Sequence, residues 1–278
     1  MKGTLYVVAT PLGNLGDLTF RSAELLKSVP VVAAEDTRRT RQLLHHLDGH
    51  PRLVSFHAHS PESRFAEILA ELERGRDVAL VSDAGTPVVS DPGAELIARV
   101  REAGHRVVPI PGLSAVTAAL SASGLPGDRY LFLGFVPRKG KDRSQLLERA
   151  AREEWSVVFY ESPNRLADLL EDMRELAGGE RKAVVARELT KLHEEIRAGT
   201  LDELIGHFAE EAPRGEITVV LQGSGIPFKP DVKPVDIEKR ATELLEEGLT
   251  RKGVVQTLVE ETGLARNEIY RRVMDLPS

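Results

Sequence analysis

Four segments of this chain concentrate small, polar and ionisable residues. They are Thr10-Pro11-Leu12-Gly13-Asn14-Leu15-Gly16-Asp17, Ala33-Ala34-Glu35-Asp36-Thr37-Arg38, Ser82-Asp83-Ala84-Gly85-Thr86-Pro87 continuing to Ser90-Asp91-Pro92-Gly93, and Pro111-Gly112-Leu113-Ser114-Ala115. Each follows a short apolar run, so each reads as the loop after a strand. Their glycines let backbone approach a ligand or take positive φ. Any one of them is equally a turn built from turn-forming residues. Four at one sheet edge make a cleft, because ligands of open α/β sheets bind beyond the carboxyl ends of the strands. Asp36, Asp83, Glu161, Glu188 and Lys191 all end strands and can move a proton if they come within hydrogen-bond reach of a substrate. Lys191 qualifies as a base only if burial lowers its pKa. Arg138-Lys139-Gly140-Lys141-Asp142-Arg143 puts four cations in six residues. Such a stretch neutralises phosphates or simply forms a solvated loop.

Several other chemistries lack their motifs. The first loop has the wrong glycine spacing for a dinucleotide-binding fingerprint. Gly134 to Gly140-Lys141-Asp142 is one residue too long for a P-loop, and aspartate stands where a hydroxyl should hold magnesium. His45-His46 and His57/His59 read as surface or strand-end residues, since two histidines need converging carboxylates to hold a metal; no metal is expected. No nucleophile elbow supports a serine hydrolase. The absence of cysteine excludes disulfides, a thiol nucleophile and thiolate metal sites, and fits a reducing compartment.

The elements that would position these residues follow from periodicity. Runs at Leu5–Ala9, Val31–Ala34, Leu53–Phe56, Val78–Val81 and Val107–Ile110 alternate with helical patterns, which predicts a parallel α/β sheet. Further runs at Tyr130–Phe135, Val157–Tyr160, Ala183–Arg187, Glu194–Gly199 and Ile217–Leu221 include a close pair joined by 188–193, which predicts a hairpin and a mixed sheet. Ser60-Pro61, Asp91-Pro92 and Ser162-Pro163 read as helix starts with a cap before proline, and Thr200 with Glu203 as a capping box. The expected organisation is an N-terminal α/β domain over 1–112, a second α/β domain over 113–223, a proline-rich linker over 224–234, and a helix-turn-helix-like tail over 235–278. Hydrophobic residues at 41% and charged residues at 29% fit a globular protein with a core. Leu5–Ala9 is too short for a signal-peptide core or a membrane span, so a cytoplasmic location without membrane association is expected. The net charge of −6 gives no basic advertisement of a nucleic-acid partner.

Together the four loops resemble the ribosomal RNA small-subunit 2′-O-cytidine methyltransferases, a branch of the tetrapyrrole methylase superfamily. Gly134-Phe135-Val136-Pro137, Phe159-Tyr160-Glu161-Ser162-Pro163, Ala186-Arg187-Glu188-Leu189-Thr190-Lys191 and Gly215-Glu216-Ile217-Thr218 extend the likeness over about residues 3–222, in order and spacing. The resemblance implies two α/β domains with S-adenosylmethionine between them, a homodimer, and a cytidine of small-subunit ribosomal RNA as substrate, within the assembled 30S subunit. By motif position it places Pro11, Asp83, Gly85, Thr86, Ser114, Ala115, Tyr160 and, with Pro213, Gly215 at the methyl donor. Glu35, Asp36 and Lys191 are the expected catalytic candidates. Arg38, Arg138, Lys139, Lys141 and Arg143 are the expected RNA contacts, with the tail segment 265–272 as a second candidate. At Asp36 and Arg38, a capped helix start paired with an arginine is an equal reading. Methylation of a small tetrapyrrole precursor and a non-catalytic nucleic-acid-binding regulator are the alternatives.

Overall fold

The computed structural model describes residues 2–210, 213–226, 237–262 and 266–276. Contacts divide the chain into two compact units, Met1–Ile226 and Pro227–Ser278. The first unit holds two five-stranded sheets.

In the first sheet, β1 (Thr4–Val8), β2 (Val31–Ala34), β3 (Arg52–Ser55), β4 (Val78–Val81) and β5 (Arg106–Ile110) are all parallel, in the order β3-β2-β4-β1-β5. Every residue of β2 and β4 is buried. Continuous apolar strands are what a parallel sheet covered on both faces requires. One face packs on Phe65, Ile68 and Leu72 of α3 (Glu62–Glu73) and Leu96 and Val100 of α4 (Ala94–Glu102). The other packs on Leu26 of α1 (Phe20–Ser28) and Leu43, Leu44 and Leu47 of α2 (Thr37–Leu47). All five strands run the same way, so the loops after β1, β2, β4 and β5 emerge at one edge.

Beyond Pro111-Gly112 the chain enters α5 (Ala115–Ser123), whose Val116, Ala119 and Leu120 cover one face of the second sheet. That sheet has the order β6-β7-β10-β8-β9, from β6 (Tyr130–Phe135), β7 (Ser156–Glu161), β8 (Lys182–Arg187), β9 (Glu195–Thr200) and β10 (Ile217–Leu221). β6 and β7 are parallel, the other pairings antiparallel, and β8–β9 is the expected hairpin. Its other face buries Leu147 of α6 (Lys141–Arg152), Leu166, Leu169, Leu170 and Met173 of α7 (Leu166–Ala177), and Leu201, Leu204 and Phe208 of α8 (Leu201–Glu210).

The cap expectations divide. Thr200 and Glu203 form the reciprocal box: the Thr200 N–H donates to Glu203 Oε2 at 2.8 Å and the Glu203 N–H to Thr200 Oγ1 at 3.2 Å. The three cap-proline starts do not. Ser60 accepts from the His57 N–H at 2.8 Å while α3 begins two residues later. Ser162-Pro163 opens a single 3-10 turn before α7. Asp91 lies ahead of the Gly93 that precedes α4, and its carboxylate is turned to other use. Pro61 and Gly93 take the N-cap positions of α3 and α4, and Ser162 holds the N-cap position of its 3-10 turn with Pro163 at the first position but makes no side-chain cap bond.

In the second unit α9 (Ile237–Glu246), α10 (Arg251–Thr262) and α11 (Arg266–Met274) surround their own core of Ile237, Leu244, Val254, Val255, Leu258, Ile269 and Val273. Residues 227–234 of the expected linker and the Gly263 turn lie outside the described residues. Among the described residues no helix is long and apolar enough to cross a membrane.

Candidate active site

At the shared edge of the first sheet, backbone hydrogen bonds knit the four loops together. The Thr10 N–H donates to Gly85 O at 2.8 Å and the Gly85 N–H returns to Thr10 O at 3.1 Å, joining the loops after β1 and β4. Gly85 sits at φ +76°, where a side chain would be strained. Thr86 Oγ1 donates to Leu113 O at 2.9 Å, which fastens the loop after β5. The loop after β2 is fastened by carboxylates: Asp83 Oδ1 accepts the Asp36 N–H at 3.0 Å, and Glu35 Oε2 the Asp83 N–H at 3.4 Å.

The second sheet brings its own edge to the same place. Phe135 ends β6, Tyr160 and Glu161 end β7, and Gly215 to Thr218 lead into β10. The Phe135 ring is 59% exposed and leans on Tyr160 at 5.4 Å between centroids. A Cβ at Gly134 would stand 3.1 Å from Ser90 Oγ, and Gly13 lies directly beneath the Lys191 side chain. The lobes approach each other at these residues, and between them lies a cavity of about 460 Å³. That is within the roughly 300–1,000 Å³ of small-molecule sites.

Leu12, Val89, Ala115, Phe135, Pro163 and Ile217 give the cavity apolar walls. Its charges are one-sided: Glu35, Asp83, Asp91, Glu161 and Glu216 line it against the single guanidinium of Arg39. Arg39 lies 3.4 Å from Asp83, and Glu161 is held 3.0 Å from Arg165. Among the described residues Asp91 has no such partner. Burial, and then the nearby carboxylates of Glu35, Asp83 and Glu216, push it up to about 6 despite a hydrogen bond to Ser82. Burial also raises Glu35, and burial together with the neighbouring Asp91 charge raises the Tyr160 hydroxyl. A half-apolar cavity with unneutralised carboxylates favours a guest that carries positive charge on an apolar or aromatic frame. Backbone strain borders the same space. Val88 (φ 78°) and Ser90 (φ 66°) on one lobe, and Glu188 (φ 50°) and Thr190 (φ 69°) on the other, hold left-handed conformations costly for non-glycine residues.

Of the residues expected at the donor, Asp83, Gly85, Thr86, Ser114, Ala115, Tyr160 and Gly215 line this cavity, as does Glu35. Pro11 lines an adjoining cavity of about 360 Å³. Asp36 lines neither. It caps α2, accepting the Arg38 N–H at 2.8 Å, and its carboxylate takes Arg38 Nη2 at 2.7 Å. Hydrogen bonds from Arg38 hold its pKa far below the ordinary carboxylate range, so it is a weak base. Lys191 also departs from the expectation. Burial alone would lower its pKa, but hydrogen bonds and charge from Glu188 (2.8 Å) and Glu216 (3.3 Å) outweigh burial and raise it, which keeps the ammonium protonated. Arg138, Lys139 and Lys141 are exposed. Arg143 is turned inward onto Asp172 and the Pro137 carbonyl, with 12% of its side chain exposed. Sequence reasoning gave Arg39, Phe135 and Glu216 no site role; it placed Asp91 in a cleft loop but read its side chain as a helix cap, because the proline after it imitates a helix start. Among the described residues no acidic or histidine cluster is arranged to hold a metal.

Residues 4–205 match the family model of tetrapyrrole (corrin/porphyrin) methylases, and the chain belongs to that family. Within it, the chain is 45% identical over 274 residues to "Ribosomal RNA small subunit methyltransferase I" of Synechocystis sp., covering 99% of this chain and 98% of that protein. It is 43% identical to the protein of the same name from Halalkalibacterium halodurans, covering 97% and 94%. Among solved structures it resembles a uroporphyrin-III C-methyl transferase from Thermus thermophilus complexed with S-adenyl homocysteine. The TM-score is 0.57 and the identity 18%, covering 80% of this chain and 98% of that one, a likeness of fold.

Proposed function

We propose that this chain transfers the methyl group of S-adenosylmethionine to the ribose 2′-hydroxyl of a cytidine in small-subunit ribosomal RNA. The observation that carries the donor assignment is the cavity at the joint edge of the two sheets, lined by apolar side chains and five carboxylates. The names of near-full-length relatives at 45% and 43% identity support the RNA substrate.

The donor fits the residues present: its positive charge would answer the carboxylates of Asp83 and Glu216, and its purine the apolar side chains and the Phe135 ring. Gly85, Thr86, Ser114, Ala115, Tyr160 and Gly215 complete the enclosure. S-adenosylmethionine, when bound, would supply an electrophilic methyl carbon that the 2′-hydroxyl oxygen attacks in line, the O–C bond forming as the C–S bond breaks with its electron pair on sulfur and the hydroxyl proton is released. The chain's part is to align the two reactants, which contributes about 7–11 kcal/mol in well-oriented systems, and to accept the proton. Glu35 and Asp91 serve for the proton, because burial raises both carboxylates toward neutrality. Lys191, held as an ammonium, positions the loops by clasping Glu188 and Glu216 above Gly13. Arg138, Lys139 and Lys141 contact RNA phosphates, the substrate is the assembled 30S subunit, and the chain acts as a homodimer.

The test is methyl incorporation by the purified chain into 30S subunits and into free 16S RNA, with the product nucleotide identified by mass spectrometry. The expected product is a 2′-O-methylcytidine in the subunit. Methylation of a uroporphyrinogen-type tetrapyrrole without RNA methylation would overturn the reading. So would absence of any calorimetric signal with S-adenosylhomocysteine, the outcome a non-catalytic regulator gives.

A further inference from the structure

The donor cavity is not isolated. It meets the cavity of about 360 Å³ along a wall formed by Leu12, Arg39 and Asp83, which line both. The smaller cavity differs in character. Leu15 and Leu43 supply apolar surface, and Gln42 stands at the rim with an amide that can both donate and accept. Where the donor cavity is crowded with carboxylates, Asp83 is the only acidic residue of this second lining, and Arg39 already lies against it.

Outside the rim the α2 helix presents cations. Arg38, Arg41, Gln42 and His45 are all exposed and, at spacings of three and four, fall on one stripe. Arg38 is 85% exposed even while tied to Asp36. Among the described residues Arg41, unlike Arg38 and Arg39, has no carboxylate beside it within ion-pair distance. An apolar slot with one amide reader, bordered by the two guanidinium groups of Arg38 and Arg41 on one helical stripe, has the composition of a site for a single extruded nucleotide. The base takes the slot and the flanking phosphates take the cations.

Building on the proposed function, the geometry points to this smaller cavity as the subsite for the target nucleoside. In this assignment Leu15, Leu43 and Gln42 receive the base, Arg38 and Arg41 hold adjacent phosphates, and the ribose lies toward the wall shared with the donor cavity. The net charge of −6 then ceases to conflict with an RNA substrate, because the cations that matter are gathered along α2 and in the 138–141 loop.

Two exposed positions test this without touching the core. Gln42→Trp fills the slot, and Arg41→Glu reverses one phosphate contact. Both are made in the full chain and assayed on unmodified 30S subunits. For each variant the expected result is a KM for the subunit, and an equilibrium Kd by filter binding, raised about tenfold or more. Affinity for S-adenosylhomocysteine by calorimetry and the circular dichroism spectrum stay at wild-type values. Arg41→Glu should also flatten the log–log salt dependence of subunit binding by about 0.7–0.9 or more. If the wild-type chain methylates the subunit and both variants keep its KM and Kd, the subsite is overturned and the function stands. If the wild-type chain methylates no ribosomal RNA, both fall together.

Discussion

The two sheets deliver residues to one cavity by different routes. In the parallel sheet every strand arrives at the cavity with its carboxyl end, so the functional groups sit in loops: Glu35 after β2, Asp83 to Asp91 after β4, Ser114 after β5. In the mixed sheet the same edge holds the ends of β6, β7 and β8 but the beginning of β10. Its contributions are strand residues themselves, such as Phe135, Tyr160 and Thr218, held in register by the ladder. The first lobe supplies Glu35, Asp83 and Asp91 on segments that must be tied down by hydrogen bonds; the second supplies rings, a glycine and the carboxylates of Glu161 and Glu216 at the ends of ladder-held strands. Substitutions in the first lobe should therefore change chemistry, and those in the second should change binding.

The strongest way to break this division is Asp91→Asn. The rate constant at saturating substrate is expected to fall about 10²–10⁴-fold, the range for a lost general base. The wild-type rate should decline as pH falls through about 6, where Asp91 takes up its proton, and the variant should lack that limb. The stability effect has the opposite sense. A carboxyl with a raised folded-state pKa favours folding below the ordinary carboxylate range and loses that contribution as pH rises through about 6. At pH 8 the variant should be more stable by on the order of 1 kcal/mol after solvent screening, visible as a higher Tm. An unchanged rate would remove Asp91 from the chemistry. Gly215→Ala probes the other lobe. At φ +83°, with the Glu188 carboxylate against the glycine, a methyl group should cost about 1–3 kcal/mol in urea unfolding and weaken donor binding. Wild-type stability there would contradict the packing. Phe135→Ala should weaken S-adenosylhomocysteine binding by about 1–3 kcal/mol, the worth of a stacked base, with Tm unmoved because the ring is already exposed. Equal binding would place the purine elsewhere. The smallest effect belongs to Asp36→Ala, which should lower Tm slightly as a lost cap while turnover is kept. Loss of turnover with stability intact would restore Asp36 as a base.

The same contrast explains what the sequence made legible. Strands were readable to within a residue, because β2 and β4 are apolar at every position and β8 and β9 are separated by a short polar turn. The loops after parallel strands were readable as a site for the same topological reason. Phe135 and Glu216 were not, since a residue at a strand end or strand start carries no local mark of which edge it faces. The opposite fates of Glu35 and Asp36 were also invisible. They are adjacent in the chain, yet one faces inward beside Asp83 and the other turns onto Arg38. That difference arises from the first turn of α2, where a capping oxygen is worth more to the helix than to a substrate.

Val88 deserves a last consequence. A β-branched residue in the left-handed region leaves the stretch before α4 under tension, with its Cγ2 packed toward the backbone at Gly93. A laboratory selection for heat tolerance would be drawn to replacements such as glycine at this position, relaxing the loop at the expense of its fixed shape. Variants recovered that way would be sturdier proteins and poorer catalysts, since Ser90 and Asp91 inherit their placement from the tension next door.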